Sequence, residues 1–343
     1  MSRQDISIAD IARMAGVSHS TVSRALHNNP LISREVRERI QRTAQEMGYI
    51  PNAIARSLQN QRTHTIGLIT TSISDPFFTD VTKGVEEVTQ AAGFSVILSI
   101  SHNDPEQEMA IIETFQQRRV DGIIVASSRI SGIYKRRLEQ MKVPTVLINS
   151  QADGQQKLLH WVAVDDNKGA QLAIEHLLSL GHRAIGYLGV ESRPHSNQQR
   201  LRGYQQALAA AGIECDASWV IIESGKEASY DEDVALGEAM LPRLLNTDVT
   251  AVFCYNDMIA IGLLLACHKS GLAVPQQLSI IGFDNIRTAE FVTPPLTTIH
   301  QPKVELGHLG MKMLLDLLEV RPVEDSMLSP TLKVRASTAA LHS

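Results

Sequence analysis

Along the first fifty positions the apolar residues recur with helical spacing. Ile8, Ile11, Ala12 and Ala15 fall at i, i+3, i+4 and i+7, which sets them on one face of a helix. Ser7 stands where an N-cap accepts from an orphaned backbone N–H, and Asp10, three residues on, suits the positive end of the helix. Gly16 permits the left-handed turn that ends a helix, Val17 packs inward, and Ser18 caps a second helix predicted from His19 to about Leu26. A third helix is predicted from Ser33, with Val36, Ile40, Ala44 and Met47 inward and Gly48 at its end. Two short helices around a glycine turn, braced by a third, have the spacing of a helix-turn-helix. The second offers His19, Ser20, Thr21 and Arg24 near its N-terminal end, donors and acceptors suited to base edges and phosphates in a major groove. Helical bundles with no nucleic-acid role share this spacing, so it does not decide the matter alone.

After Arg62 the pattern changes. The runs at 65–71, 94–100, 121–127, 144–149, 184–189, 250–255 and 278–283 are continuously apolar, as strands of a parallel sheet buried on both faces are. Between them, stretches such as 78–92, 105–117, 167–180, 199–211 and 256–270 read as crossover helices, which makes the body α/β. At about 280 residues it exceeds one comfortable core, so two doubly wound lobes are expected. The segment from Pro51 to Gln59 is too short for a stable free helix, since isolated helices below about 12 residues are marginal in water. It is expected to be helical only when held.

Charge sharpens the division. Residues 1–60 carry eight arginines, no lysine and five acids, net +3, leaving 24 basic and 32 acidic residues, net −8, to the rest. A basic head on an acidic body suits a chain of which one end meets phosphate.

The run from Ile8 to Leu58, with V-S-H-S-T-V-S-R, G-Y-I-P-N and A-R-S-L, resembles the N-terminal domain of the LacI/GalR (lactose-repressor) family. The body resembles the same family and the bacterial sugar-binding-protein fold from which it derives. The matching pieces are DDNKGA from Asp165, LGHRAIGYLG from Leu180, RLRGY from Arg200, YNDMIAIG from Tyr255, IGFDN from Ile281 and PLTTIHQP from Pro295. The resemblance implies that His19 and Ser20 choose the operator sequence, while Ser18, Thr21, Ser23 and Arg24, with His27 and Asn28 in the next turn, anchor or read DNA; the capping Ser7 is added to them as a DNA-binding candidate. It also implies that two hinge segments lie together in the minor groove, where Leu58 wedges between base pairs. Ala55 packs beside that leucine, and Asn52, Arg56 and Gln59 reach groove edges or phosphate. A wedge of this kind costs a few kcal/mol per unstacked step, offset by contacts to the bent duplex.

Ligands of such α/β folds bind beyond the carboxyl ends of the strands. The polar residues there are Asp75 with the nearby ring of Phe77, Asn149, Asn256 and Asp284, each of which also suits a plain helix cap. The family resemblance implies that Arg200 and Asp284 bind effector; Asn256, Asp75, Phe77, Ser196 and Asn149 join them as candidates, with Arg202 a weaker anchor. The loop 191–199 and the segment near 225–230 are where effector choice is expected to be encoded. The tail LTTIHQPKVELG is closer to the purine-repressor branch, yet the glycine and threonine positions used there around a purine are not reproduced, so a sugar or related polyol is expected.

The expected division is a helix-turn-helix domain at 1–50, a hinge at 51–62, one lobe from 63–163 with 303–329, and a second from 164–302 with 330–343. Cys215, Cys254 and Cys267 lack C-x-x-C spacing and read as reduced residues of a cytoplasmic protein. No leader, no apolar run of spanning length and no H-E-x-x-H, G-x-S-x-G or Walker loop appears, so no membrane, cofactor, metal or enzymatic role is expected. The acidic clusters Asp165-Asp166-Asn167 and Asp231-Glu232-Asp233 read as helix starts. The whole predicts an effector-responsive, sequence-specific transcriptional regulator, a repressor acting as a homodimer on a palindromic operator. A solute-binding protein of the same fold is the alternative. Leu58→Ala is expected to weaken binding to a specific operator more than to random duplex in a mobility-shift titration; equal losses on both would sink the wedge.

Overall fold

The computed structural model describes residues 6–49, 62–126, 142–150, 159–224 and 230–341. The hinge residues Asn52, Ala55, Arg56, Leu58 and Gln59 lie outside them. The chain divides into two compact units, Met1–Thr63 and His64–Ser343.

In the first unit α1 (Ile8–Ala15), α2 (His19–Leu26) and α3 (Arg34–Glu46) enclose a small core of Ile11, Ala12, Val22, Ala25, Ile40 and Ala44. Each helix start has its own device. Ser7 and Asp10 form a reciprocal capping box on α1, and the hydroxyls of Ser18 and Ser33 accept from the N–H groups of Thr21 and Val36. Gly16 ends α1 at φ 66°, a left-handed conformation in which a side chain is strained. In so small a core these caps, each worth about 1 kcal/mol, fix where the helices begin and hence which residues α2 presents.

The body is built on two six-stranded sheets. The first runs β11-β5-β4-β3-β1-β2, with β1 (Thr65–Thr70), β2 (Ser95–Ile100), β3 (Gly122–Ala126), β4 (Thr145–Ile148), β5 (Leu159–Val164) and β11 (Ser326–Leu328) all parallel. The second runs β12-β10-β9-β8-β6-β7, from β6 (Ile185–Val190), β7 (Val220–Glu223), β8 (Ala251–Cys254), β9 (Ser279–Asp284), β10 (Thr297–His300) and β12 (Thr331–Lys333), of which only β12 is antiparallel. Read inward from β2 and from β7, the two orders are alike: each reverses direction after its first strand, leaving a crevice at the carboxyl ends between β1 and β3 and between β6 and β8.

Helices α4 (Pro76–Ala91) and α5 (Pro105–Gln117) belong to the first lobe, joined by α10 (Lys303–Leu318), while α6 (Asp166–Ser179), α7 (Pro194–Ala210), α8 (Tyr230–Leu244) and α9 (Asp257–Ser270) surround the second sheet. The chain therefore passes between lobes near Asp165, Gln301 and Ser329. Four strands beyond the seven apolar runs, β5, β10, β11 and β12, carry polar or aromatic residues that break a continuous run. The fifth, β7, is only four residues long.

Three helix pairs among the described residues touch backbone to backbone, α4 with α10, α6 with α7 and α8 with α9. On α8 and α9 the glycines are reciprocal: a Cβ on Gly237 would stand 2.2 Å from the Ile259 carbonyl oxygen, and one on Gly262 2.0 Å from that of Val234. Neither backbone has room to yield. Gly262→Ala is expected to destabilise the body by about 1–3 kcal/mol, the ordinary range for overpacking, and a lowered urea midpoint with unchanged slope would register it. An unshifted midpoint would mean the two helices part more readily than this packing allows.

Candidate functional site

In the N-terminal unit the caps decide which polar groups remain available. The Ser7 hydroxyl is engaged with Asp10, donating to its carboxylate at 2.6 Å, and Ser18 bonds the N–H of Thr21 at 3.1 Å and lies 2.9 and 2.8 Å from the hydroxyls of Ser20 and Thr21. His19, Ser20 and Arg24 are exposed, Thr21 and Ser23 half-buried. Arg24 forms no ion pair among the described residues. Past the end of α2, His27 Nδ1 lies 2.7 Å from the Ser23 carbonyl, and Asn28, at φ 56°, accepts from Gln41 at 2.9 Å. Ser18 thus shapes the start of α2 and holds the Ser20 hydroxyl, while His19 and Arg24 project from it with no side-chain hydrogen bond or ion pair among the described residues.

In the body the polar candidates converge at the carboxyl ends of the strands. Arg200, on α7, is only 4% exposed and is the most heavily committed. Its Nε donates to Asp166 at 2.9 Å and its Nη1 to the Tyr255 carbonyl at 2.5 Å, and Asp284 lies 3.8 Å away. The guanidinium stacks over the rings of Phe283, 3.7 Å from the centroid, and Tyr255, 4.4 Å. Burial pushes the Asp166 carboxyl above its ordinary range, against the pull of Arg200. Burial raises Asp284 as well, again opposed by Arg200, and Asp257 beneath it is raised by burial and by repulsion from Asp284.

A second arginine, Arg193, stands just ahead of α7. Its Nη1 donates to both oxygens of Asp233, at 3.1 and 2.9 Å, and its Nη2 reaches across to Asp75 of the other lobe at 3.8 Å. Asp75 caps α4 by accepting from Phe77 N–H at 2.9 Å, and burial raises its carboxyl despite Arg193. Ser196 shares a 2.6 Å hydrogen bond with the Tyr255 hydroxyl. Asn256 caps α9 through its side-chain oxygen and donates to Asp233 at 2.6 Å.

Where the chain passes back to the first lobe, Gln301 donates to Asp284 at 2.6 Å and accepts from Asn149 at 3.4 Å. Asn149, at φ 52°, in turn accepts from Val164 N–H at 3.2 Å. Buried Lys303 donates to the carbonyls of Asp284 and Asn285, at 2.6 and 3.0 Å, and faces Asp80 at 3.6 Å. Those carbonyls are turned toward the ammonium because both residues have positive φ, 116° and 52°.

Phe77 packs into the core of the first lobe, while the other six candidate effector residues join one polar cluster at the carboxyl ends of the strands. Asn149 and Asn256 spend their amides on backbone N–H groups and neighbouring side chains, whereas Asp75, Ser196, Arg200 and Asp284 bring charged or hydroxyl groups to it. Sequence reasoning missed Asp166, Arg193, Asp233, Tyr255, Gln301 and Lys303. Asp166 and Asp233 sit in the acidic clusters read as helix starts, which they are; what that reading lacked was their arginine partners, 34 and 40 residues away.

A helix-turn-helix unit joined to a two-lobed α/β body with a polar cleft defines a ligand-responsive DNA-binding regulator. The comparisons agree. Residues 7–52 match the bacterial regulatory proteins of the lacI family, and residues 174–338 the periplasmic binding protein-like domain. The chain is 33% identical over 343 residues to the HTH-type transcriptional repressor PurR of Vibrio campbellii, covering 98% of this chain and 99% of that one. Among solved structures, the lac repressor dimer bound to operator and the anti-inducer ONPF superposes with a TM-score of 0.86 at 27% identity, over 98% of this chain and 100% of that one. A LacI family transcriptional regulator from Enterococcus faecium with bound ribose gives 0.71 at 32%, over 81% and 100%. The chain belongs to the lacI family, and it is a transcriptional regulator with a periplasmic-binding-protein-like effector domain rather than a solute-binding protein alone.

Arg200→Ala is expected to cost the body about 3–5 kcal/mol near pH 8, because removing one member of a buried ion cluster leaves the others uncompensated. A carboxyl whose pKa is raised on folding favours the folded state at low pH and loses that contribution as pH rises through the raised value. Without the guanidinium, Asp166 and Asp284 take up protons more readily, so the penalty is expected to shrink near pH 5. Urea titrations of wild type and variant at both pH values measure it, and equal penalties would contradict the ion-cluster account.

Proposed function

We propose that this regulator represses transcription as a homodimer on a near-palindromic operator, under control of a sugar or related polyol held in the body's cleft. It acts in the cytoplasm, with no catalytic step of its own. The observation that carries the DNA half is the free face of α2, where His19, Ser20 and Arg24 stand exposed at a capped helix start. His19 and Ser20 read bases, and Arg24 with Thr21, Ser23, His27 and Asn28 meets bases or phosphate. Ser7 and Ser18 act through the helix ends they cap, whose N–H groups suit phosphate. Two such helices, one per subunit, read half-sites about one helical turn apart, and the hinge segments with Leu58 complete the contact. The solved lac repressor, a dimer on its operator, supports this reading.

The effector half rests on Asp75, Ser196, Arg200 and Asp284 with Phe77, and on Asn149 and Asn256 as the amides that brace them. A purine is the second reading, prompted by the likeness to PurR. The polyol is favoured because a flat base needs open ring faces. Here Tyr255 and Phe283 are stacked by arginine, and Phe77 packs edge-on against Phe78 at 5.2 Å. The ribose-bound relative is in keeping with that preference. The lobes are taken as 63–163 with 303–329 and 164–302 with 330–343. Effector and operator are then coupled ligands, each changing the other's affinity by the same factor.

Selecting duplexes from a random pool and measuring their mobility shift tests the reading. A near-palindromic site should emerge, with affinity falling steeply as salt rises, and exchanging His19 and Ser20 should change the preferred bases while leaving random-DNA binding intact. Failure to enrich any sequence, or binding indifferent to salt, would overturn it.

A further inference from the structure

The cleft is crowded with charge, and the described residues pair almost all of it internally. Its three cations are each matched by a carboxylate: Arg193 by Asp233 and Asp75, Arg200 by Asp166 and Asp284, and Lys303 by Asp80 together with two carbonyls. Asp257 adds a further buried carboxylate, which accepts from the Thr298 hydroxyl and the Ile286 N–H. Among the described residues six carboxylates thus face three cations.

Arg193 is the residue whose commitment matters most. It stands at the N-cap of α7 with no capping bond of its own, and its guanidinium is turned instead onto Asp233. Asp233 is 2% exposed and is held from behind by the Asn256 amide, so its charge cannot swing away from Arg193. The opposite end of the guanidinium points over the gap to Asp75. Among the described residues, an anionic group entering here would find no uncompensated arginine or lysine and would face Asp75 and Asp284 directly. A hydroxyl, by contrast, donates to a carboxylate and accepts from a guanidinium at once, which suits this alternation of acceptors and donors.

We infer that the cleft selects an uncharged, hydroxyl-bearing effector and rejects its phosphorylated or carboxylated counterpart, with Arg193, neutralised by Asp233, as the specificity-determining residue. The inference rests on the reading of this cleft as the effector site and adds the charge of the ligand to it.

The test uses the full chain and matched probes: ribose against ribose 5-phosphate, and glucose against glucose 6-phosphate and gluconate, by thermal shift and calorimetry at low salt. The neutral member is expected to bind at least roughly tenfold more tightly than its anionic partner, since like charges placed together are strongly unfavourable. Asp233→Asn keeps the side-chain shape and releases Arg193, so it should narrow that ratio by improving the anion. Asp75→Asn, on the opposite lobe and more exposed, should do the same and serves if the Asp233 variant does not fold. An anionic probe binding wild type more tightly than its neutral partner, or ratios unchanged in a folded variant, overturns the charge selection while leaving the effector reading in place. If no probe of either kind binds, the effector reading itself fails, and this inference with it.

Discussion

The buried guanidinium of Arg200 is the interaction on which the body depends. It joins the first residue of α6 through Asp166, the end of β8 through the Tyr255 carbonyl and the end of β9 through Asp284, while Phe283 and Tyr255 supply ring faces to its plane. Taking such a charge out of water carries a penalty that only near-complete pairing offsets. The planar fork of arginine meets that demand where a lysine would present a point charge. The carboxylates that stabilise it are themselves pushed toward protonation, so the cluster stands close to the limit of what burial permits. A ligand exchanging hydrogen bonds with Asp284 therefore acts on groups that hold three elements of one lobe together.

From there the contacts run outward to the places where the chain passes between lobes. Asp284 is held by Gln301, Gln301 by Asn149, and Asn149 by the backbone of Val164, so two of the three passages are linked by one line of hydrogen bonds. Lys303 draws the left-handed turn at Asp284 and Asn285 toward the first turn of α10. An ammonium at a helix N-terminus is electrostatically misplaced, and the two carbonyls it finds there compensate. On the proposed reading, an effector at Asp284 would have a physical route to the joint between lobes, through groups that have partners on both sides.

How much of this was legible in the sequence depended on how far apart the partners lie. Caps at Ser7 and Ser18 and the stop at Gly16 involve residues within four positions of one another, and local spacing sufficed to read them. The seven apolar runs were readable as strands because buried parallel strands are apolar on both faces. Strand β5, Leu-His-Trp-Val-Ala-Val, was not, since His160 and Trp161 look polar or bulky until Asp325 is found accepting from both of them. In the cleft, Asp75, Asn256 and Asp284 were visible by their place after strands, and Arg200 by family resemblance. Arg193, Asp166 and Asp233 acquire meaning only in pairs separated by tens of residues, and no local pattern encodes such a pair.

The interleaving of the two sheets bears on how the protein comes into being. Neither lobe is a continuous stretch of chain: the first waits for α10 and β11, and the second for β12 at Thr331–Lys333. The DNA-reading unit, by contrast, has its three described helices by Glu46. As a chain emerges from the ribosome, domains fold in the order they are completed, so the reader takes shape first and remains without its sensor until almost the last residue has been added. A chain interrupted anywhere in the body would carry the three reading helices without a completed effector domain to govern them.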